Sequence, residues 1–264
     1  MNLTEMTRIA HIDRIVAAGG TVTKEYDRLT DRLDQFANVE NDLLERLTEA
    51  VITDAPLSTI ADLRAMAVAQ EATNLVHAAT VRNAVEAVVH KAMSVEYAKT
   101  AVANYNTFRD EFNKHADALT AAHKIVPATA DPATLVTAAN KVRQAWADGQ
   151  NATLALTATM PLLILAAELA GTSITNPTAP IGLVADVNGL HRRRVWEAFE
   201  QGWTALVELG ATLRAPELHE YEEYREPLPI EIQHEQVGRG TWRNVEVDPE
   251  DAGATLTARE RIIL

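Results

Sequence analysis

Residues 57–126 read LSTIADLRAMAVAQEATNLVHAATVRNAVEAVVHKAMSVEYAKTAVANYNTFRDEFNKHADALTAAHKIV. This stretch contains neither Gly nor Pro, the two residues that most often end or kink a helix. We therefore expect helix over about 58–124, with recurring alanines that give it narrow faces. One helix of this length would span on the order of 100 Å. A bend near Met93-Ser94-Val95 would instead fold it into a hairpin, and the sequence leaves both arrangements open.

Two helices are predicted before this stretch. The first covers about 4–18 and ends at Gly19-Gly20, because glycine readily takes up the positive φ that follows many helices. The second covers about 23–53, where apolar residues recur every three or four positions with a break at Glu40. This spacing is typical of a coiled coil or of a helix in a bundle.

Two more helices are predicted after it. Asp131-Pro132 indicates a helix start, because Asp caps the first turn and Pro needs no amide hydrogen at the first helical position. This helix should run over 132–170 with a kink near Pro161. The last helix covers about 190–213. The predicted body of the protein, residues 1–214, is therefore an elongated helical bundle with coiled-coil-like spacing, and the fold class is mainly α.

The composition narrows the class of protein. Hydrophobic residues make up 47% and charged residues 23%, as in folded globular proteins, and the low aromatic content of 5% favours packed helices over a β-sandwich. The absence of cysteine excludes a disulfide scaffold and a thiol nucleophile. The formal charge of −13 opposes binding to nucleic acid, which we therefore do not expect as a partner.

Neither a secretory signal nor a membrane span is expected from the sequence. The N-terminus has no basic region followed by an apolar one. The most apolar stretch, 154–170, is interrupted by Pro161 and Glu168 and is better explained as a buried core helix. We therefore predict no membrane partner and a cytoplasmic protein, or one assembled in the cytoplasm into a virion.

Residues 215–264 differ from the body and predict a non-helical, acidic C-terminal arm. They carry 12 acidic and 5 basic side chains, a net charge of −7. Apolar and other residues alternate from Leu228 to Ile232, and Gly238-Arg239-Gly240 then precedes a second alternating run, which predicts a β-hairpin over 228–247. Because an isolated two-stranded hairpin is marginal in water, we expect it to lie on the body or on another subunit.

No motif predicts an enzyme, and we assign no catalytic, cofactor-binding or metal-ligating residue. Glu86 and His90 are four residues apart, so they do not form the Glu-x-x-His pair of a di-iron carboxylate bundle. His219-Glu220 and His234-Glu235 lack the second His that a zinc hydrolase needs, and no Gly-rich phosphate loop or Gly-x-Ser-x-Gly turn is present. An all-helical pocket around His191, Trp196 and Trp203 is the remaining enzyme hypothesis.

The one concentrated basic feature is His191-Arg192-Arg193-Arg194. Arginine binds carboxylates through two parallel hydrogen bonds, so these residues are expected to meet the acidic segment 217–223, within one chain or between subunits. The alternative is an exposed, solvated cluster. The residues that we expect at protein–protein contacts are these arginines and apolar residues of the arm: Arg192, Arg193, Arg194, Leu228, Ile230, Ile232, Trp242, Ile262, Ile263 and Leu264.

Helices with seam-like spacing, a reaching arm and no catalytic constellation favour a structural or assembly protein that acts through protein–protein contacts, with itself or with other subunits. By analogy with arm-bearing particle subunits, we predict a component of a bacteriophage virion or of its assembly machinery. The alternative is a cellular helical adaptor or scaffold, and an enzyme is the third hypothesis.

Overall fold

A computed structural model describes residues 3–38, 43–53, 55–72, 75–127, 130–174 and 180–250. It confirms the predicted fold class, mainly α with a β-hairpin in the C-terminal arm. The helices are α1 (Leu3–Ala17), α2 (Lys24–Ala37), α3 (Leu43–Ile52), α4 (Leu57–Ala72), α5 (Leu75–Ala98), α6 (Ala101–His123), α7 (Pro132–Leu135), α8 (Asn140–Leu169), α9 (Ile181–Val184), α10 (Arg192–Gln201) and α11 (Trp203–Leu209). The strands are β1 (Ala185–Asp186), β2 (Thr212–Leu213), β3 (Glu231–Gly238) and β4 (Thr241–Val247).

The chain forms two compact units, Met1–Asn104 and Tyr105–Leu264. In unit 1, both α1 and α2 pack against α5, and α3 packs against α4. The buried core of the first group includes Ile12, Ile15, Tyr26 and Met93. Ile12 and Ile15 are three residues apart on α1, and Met93 and Tyr97 are four apart on α5, so these two helices each turn an apolar stripe inward.

A buried asparagine joins the loop after α1 to the start of α6 in unit 1. The Asn104 side chain is 1% exposed. Its Oδ1 accepts from the Thr21 amide at 2.8 Å, and its Nδ2 donates to the Thr21 carbonyl at 2.9 Å and to the Tyr97 hydroxyl at 3.2 Å. Asn104 therefore supplies hydrogen-bond partners for backbone groups of a loop that pairs with no strand.

Two of the predicted long helices in the first half are interrupted. The helix expected over 23–53 is divided into α2 and α3, and Asn38 caps the end of α2 by donating its backbone and side-chain N–H groups to the Asp34 carbonyl. The stretch 57–126 contains α4, α5 and α6. Its break next to α6 lies at Lys99-Thr100 rather than at 93–95, because the Lys99 and Thr100 amides bond to carbonyls only three residues back.

Unit 2 is built around α6 and α8. Gly149 of α8 lies so close to α6 that a Cβ there would stand 3.3 Å from that of Ala122. Trp203 of α11 packs edge-on against Phe112 of α6, with 5.6 Å between ring centroids, and its Nε1 donates to Thr157 of α8 at 2.9 Å. The three helices therefore share one core.

The predicted helices over 132–170 and 190–213 are also divided. Asp131 caps α7 as expected, but the chain is extended at Ala139 and α8 begins only at Asn140. The last predicted helix breaks at Gly202, which has a φ of +112°, and it ends in β2. A residue with that φ cannot continue an α-helix.

Among the described helices, α8 is the one long and apolar enough to cross a membrane by length and composition. Core helices meet the same criterion, and α8 buries Leu156, Leu163, Ala166 and Ala167 within unit 2. The helix continues through Pro161.

Candidate interaction site

The β3–β4 hairpin is a two-stranded antiparallel sheet, as the sequence predicts for 228–247. Its turn contains Gly240, with a φ of +84°, a conformation that favours glycine. Every residue of β3 is exposed. In β4, Val245 is buried. The hairpin therefore projects most of its surface away from the rest of unit 2.

One face of the hairpin carries exposed apolar side chains. Ile232 lies opposite Glu246, and Gln236 lies opposite Trp242, so Ile232 and Trp242 share a face. Ile232 is 62% exposed and Trp242 is 61% exposed. A tryptophan with this exposure on a narrow sheet is the kind of residue that anchors protein–protein contacts.

Two arginines of α10 hold the two ends of the hairpin. Arg193 donates from Nε to Oδ2 of Asp248 and from Nη2 to the Leu228 carbonyl. Arg192 forms an ion pair with Glu250, with 2.9 Å between Nη2 and Oε1. The same Oε1 accepts from the Leu228 amide at 2.8 Å. We call this group, Arg192, Arg193, Leu228, Asp248 and Glu250, the base clamp.

The base clamp also resolves an electrostatic conflict in α10. This helix begins with three consecutive arginines and has no acidic residue in its first turn. Positive charge is unfavourable at a helix N-terminus, because the macrodipole is itself positive there. Asp248 and Glu250 supply the missing negative charge, so hairpin attachment and the start of α10 stabilise each other.

The electrostatics of Asp248 agree with this arrangement. Its side chain is only 1% exposed. The hydrogen bond from Arg193 lowers the Asp248 pKa from its ordinary value, and the pKa of Arg193 is correspondingly raised. The His191 ring also lies near this carboxylate, with 3.9 Å between its Nε2 and Oδ2 of Asp248. Asp248 is therefore held as a carboxylate in the folded protein.

The arm is also attached to unit 2 before it reaches the hairpin. Asn113 of α6 accepts from the Ala215 amide at 2.7 Å and donates to the Ala215 carbonyl at 3.1 Å. Tyr105 donates to the Pro216 carbonyl at 2.7 Å. Farther along, the hydroxyl of Tyr224 donates to the Arg192 carbonyl, and burial raises the pKa of this tyrosine to about 12.

The backbone of the arm approaches α9 closely at one position. A Cβ placed on Gly182 would stand 2.2 Å from the carbonyl oxygen of Glu222. Only glycine leaves room for this contact without a shift of the backbone. The first part of the arm, residues 215–226, thus lies on its own helical unit.

Within the chain, two arginines of the cluster have other partners than the acidic segment that the sequence predicted. Within the chain, Arg192 and Arg193 pair with Glu250 and Asp248, which lie beyond the acidic segment 217–223. In that segment, Glu217 and Glu220 instead pair with Arg109 and Arg214, at 3.7 and 3.1 Å. Charge alone indicated that carboxylates would be the partners, but it did not distinguish between carboxylates of the same arm.

The other predicted contact residues are distributed as follows. Arg194 is exposed. Leu228, Ile230, Ile232 and Trp242 are exposed apolar residues of the arm. Ile262, Ile263 and Leu264 lie outside the described residues.

A groove lies beside the described part of the arm. It has a volume of about 1340 Å³ and lies between the β1–α10 loop and residues 220–226. Side chains of both signs line it, including Asp186, Arg214 and Arg225. No group of three or more potential metal ligands occurs among the described residues. The predicted pocket around Trp203 is not open at that residue, since Trp203 is buried in the core.

The sequence reasoning missed one further surface, on α5. Val81, Val88 and Val95 are seven residues apart, and Val102 of α6 continues the spacing. All four are more than half exposed. Ala84, Lys91 and Ala98 lie between them at the intermediate heptad position and are exposed as well. We call Val81, Ala84, Val88, Lys91, Val95 and Ala98 the valine seam.

Comparison with known proteins identifies no relative: no family model, no curated protein and no solved structure matches this chain.

Proposed function

We propose that the protein is a structural or assembly subunit that acts through protein–protein contacts and uses the β3–β4 hairpin as its contact element. The observation that carries this proposal is the combination of an exposed hairpin with a fixed base. Ile232 and Trp242 are exposed on one face, while the base clamp holds both ends of the hairpin on α10. An element that is presented in a fixed place and left uncovered is suited to bind another protein.

The mode of contact follows from the two-stranded sheet. Each strand has one edge paired and one edge open, and an open edge presents backbone groups that can pair with another strand. A hairpin of this size is marginal by itself, so an added strand would stabilise it. We therefore propose strand addition, with Trp242 and Ile232 as apolar anchors. The narrower prediction of a bacteriophage particle rests on analogy and stays a prediction.

The test is the absolute mass in solution of the wild type and of a variant that carries Ile232→Ser and Trp242→Ser. These substitutions retain the backbone pairing and remove the two anchors. A control variant with Val136→Ser and Leu154→Ser removes two apolar residues that are at least as exposed, on other elements of unit 2. We expect concentration-dependent assembly in the wild type and control, and at least a tenfold weaker assembly in the hairpin variant.

Deletion of the hairpin gives a second version of the same test. Because Glu231 lies opposite Val247, a short Gly-Ser linker can join residues 230 and 248 and leave the base clamp in place. A wild type whose mass stays that of one chain, or a hairpin variant that assembles like the wild type, would contradict the proposal.

A further inference from the structure

We infer that a second copy of this chain binds to the valine seam of α5, antiparallel, across a two-fold axis between Val88 and Lys91. This interface is separate from the hairpin, which lies in the other unit. The inference starts from the two faces of α5. One face packs against α1 and α2 and buries Met93 and Tyr97. The valine seam lies on the other side of the helix and is exposed along its length.

The spacing of the seam identifies the kind of partner. Apolar residues that alternate three and four positions apart present a straight stripe to another helix with the same repeat. The seam has valine at one heptad position, at 81, 88 and 95, and a small residue or lysine at the other, at 84, 91 and 98. A partner with complementary spacing must place small residues opposite these valines.

A second copy satisfies that condition in the antiparallel direction. With a two-fold axis between Val88 and Lys91, Val81 lies opposite Ala98 of the second copy, and Ala84 lies opposite Val95 of the second copy. Val88 then lies opposite Lys91 of the second copy, whose aliphatic stem can cover the valine while its ammonium group reaches water. Every layer pairs a branched residue with a small or flexible one, so the backbones can approach closely.

Charge favours the same arrangement. A parallel dimer would stack Lys91 on Lys91, whereas the antiparallel one separates them. None of the residues at the two flanking heptad positions is acidic: they are Thr80, Val85, Ala87, Ala92, Ser94 and Lys99. Two chains that each carry a formal charge of −13 repel one another, so a surface without acidic residues is where copies can meet at the lowest electrostatic cost.

The length of the seam sets the expected affinity. Residues 81–98 span about 27 Å of helix. One helix face of that length buries less area than the roughly 1,200–2,000 Å² of a stable interface. We therefore expect a dimer with a dissociation constant in the micromolar range. The mass of one chain is 28.8 kDa, and the dimer has twice that mass.

The first experiment measures mass against concentration, from about 1 μM to about 1 mM, for Val88→Asp and Val136→Asp. Both are made in a full-length parent that carries Ile232→Ser and Trp242→Ser, together with Lys91→Ala so that no lysine of the second copy faces residue 88. Val88 is 71% exposed and Val136 is 72% exposed, so the two substitutions are matched in exposure, and only the first lies on the seam. The parent and Val136→Asp are expected to dimerise. With Lys91 replaced, Val88→Asp places two uncompensated carboxylates in the interface and should weaken dimerisation by at least about 100-fold relative to this parent.

The second experiment uses the absence of cysteine from the chain. Chains with Val81→Cys are mixed with chains with Ala98→Cys under mild oxidation. The antiparallel arrangement predicts a cross-link between the two variants and none within either variant alone. Asn83→Cys mixed with Ala98→Cys is the control, since Asn83 lies on the same helix away from the seam. If the Val88→Asp variant does not fold, the cysteine variants, whose side chains are small, still test the inference.

Three results would overturn the inference: a single-chain mass at every concentration, a dimer that Val88→Asp leaves unchanged, or a Val81→Cys variant that cross-links to itself. Because the two apolar anchors of the hairpin are absent from the proteins compared in the first experiment, failure here does not bear on the hairpin proposal.

Discussion

Arg193, in the first turn of α10, donates a hydrogen bond to the almost fully buried carboxylate of Asp248, which directly follows β4. The two residues are 55 positions apart in the sequence. Their contact fixes where the hairpin leaves the protein surface, and several measurements can test that role.

Loss of Arg193 should free the hairpin base without unfolding the helices. Arg193→Gln leaves Asp248 buried without its charged partner, and removal of one member of a buried pair typically costs about 3–5 kcal/mol. Because the hairpin can detach locally, we expect amide exchange over 245–250 to accelerate by at least about 100-fold, with little change in overall helicity. Arg194→Gln is the control, since Arg194 is the exposed neighbour. Equal exchange in the two variants would show that the base clamp does not hold the hairpin.

Stability should depend on pH through Asp248. Its pKa is lowered in the folded protein, so its ionised form adds stability above the ordinary pKa of the unfolded chain, about 3.9, and this stability is lost as the pH falls through the lower folded value. Asp248→Asn removes this dependence. We expect the difference in unfolding free energy between wild type and variant to be constant from about pH 7 to 5 and to shrink below about pH 4. A difference that does not change over this range would contradict the assignment.

Gly182→Ala should displace the first part of the arm. The added Cβ would stand 2.2 Å from the Glu222 carbonyl oxygen, and a backbone group cannot move aside as a side chain does. Such a change typically costs about 1–3 kcal/mol. We expect faster exchange over 221–226 and a lower melting temperature. Unchanged exchange over these residues would mean that the arm does not lie on α9 in solution.

Asn104 should be one of the most sensitive residues in unit 1. Asn104→Ala removes the hydrogen bonds to the Thr21 backbone and leaves the hydroxyl of the buried Tyr97 without the Asn104 amide. A hydrogen bond contributes about 0.5–1.5 kcal/mol, and an unsatisfied buried group costs about 1–3 kcal/mol. We expect a loss of about 2–4 kcal/mol in unfolding free energy by denaturant titration. Asn83→Ala, at an exposed position of α5, should change it by less than about 0.5 kcal/mol. A loss in Asn104→Ala no larger than in this control would exclude Asn104 as the anchor of the loop.

Local sequence patterns predicted whether a region is helix or hairpin better than they predicted where its helices break. The Asp131 cap and the hairpin with its glycine-containing turn were recognisable because each depends on residues close in sequence. The breaks at Lys99-Thr100 and Gly202 depend on a tightened turn and on a positive φ, which the same residue types do not always adopt. In the stretch 57–126, the absence of Gly and Pro was therefore a poor guide to helix continuity.

The candidate site was only partly predictable for a related reason. Arg192 and Arg193 were identified as contact residues from their charge, but their partners, Glu250 and Asp248, are set by the path of the arm. The valine spacing at 81, 88 and 95 is visible in the sequence itself. Whether this spacing marks a buried core or a contact surface depends on exposure. The exposure follows from the packing of α1 and α2 against the opposite side of α5, which the sequence does not show.

The base clamp holds the two ends of the hairpin at one point on α10, so the hairpin between them can be replaced as a unit. Apart from the buried Val245, the residues between Leu228 and Asp248 can change in number or type while the chain enters and leaves at the same place. Variation in this loop would alter which protein is recognised without any need to redesign the helices that carry it.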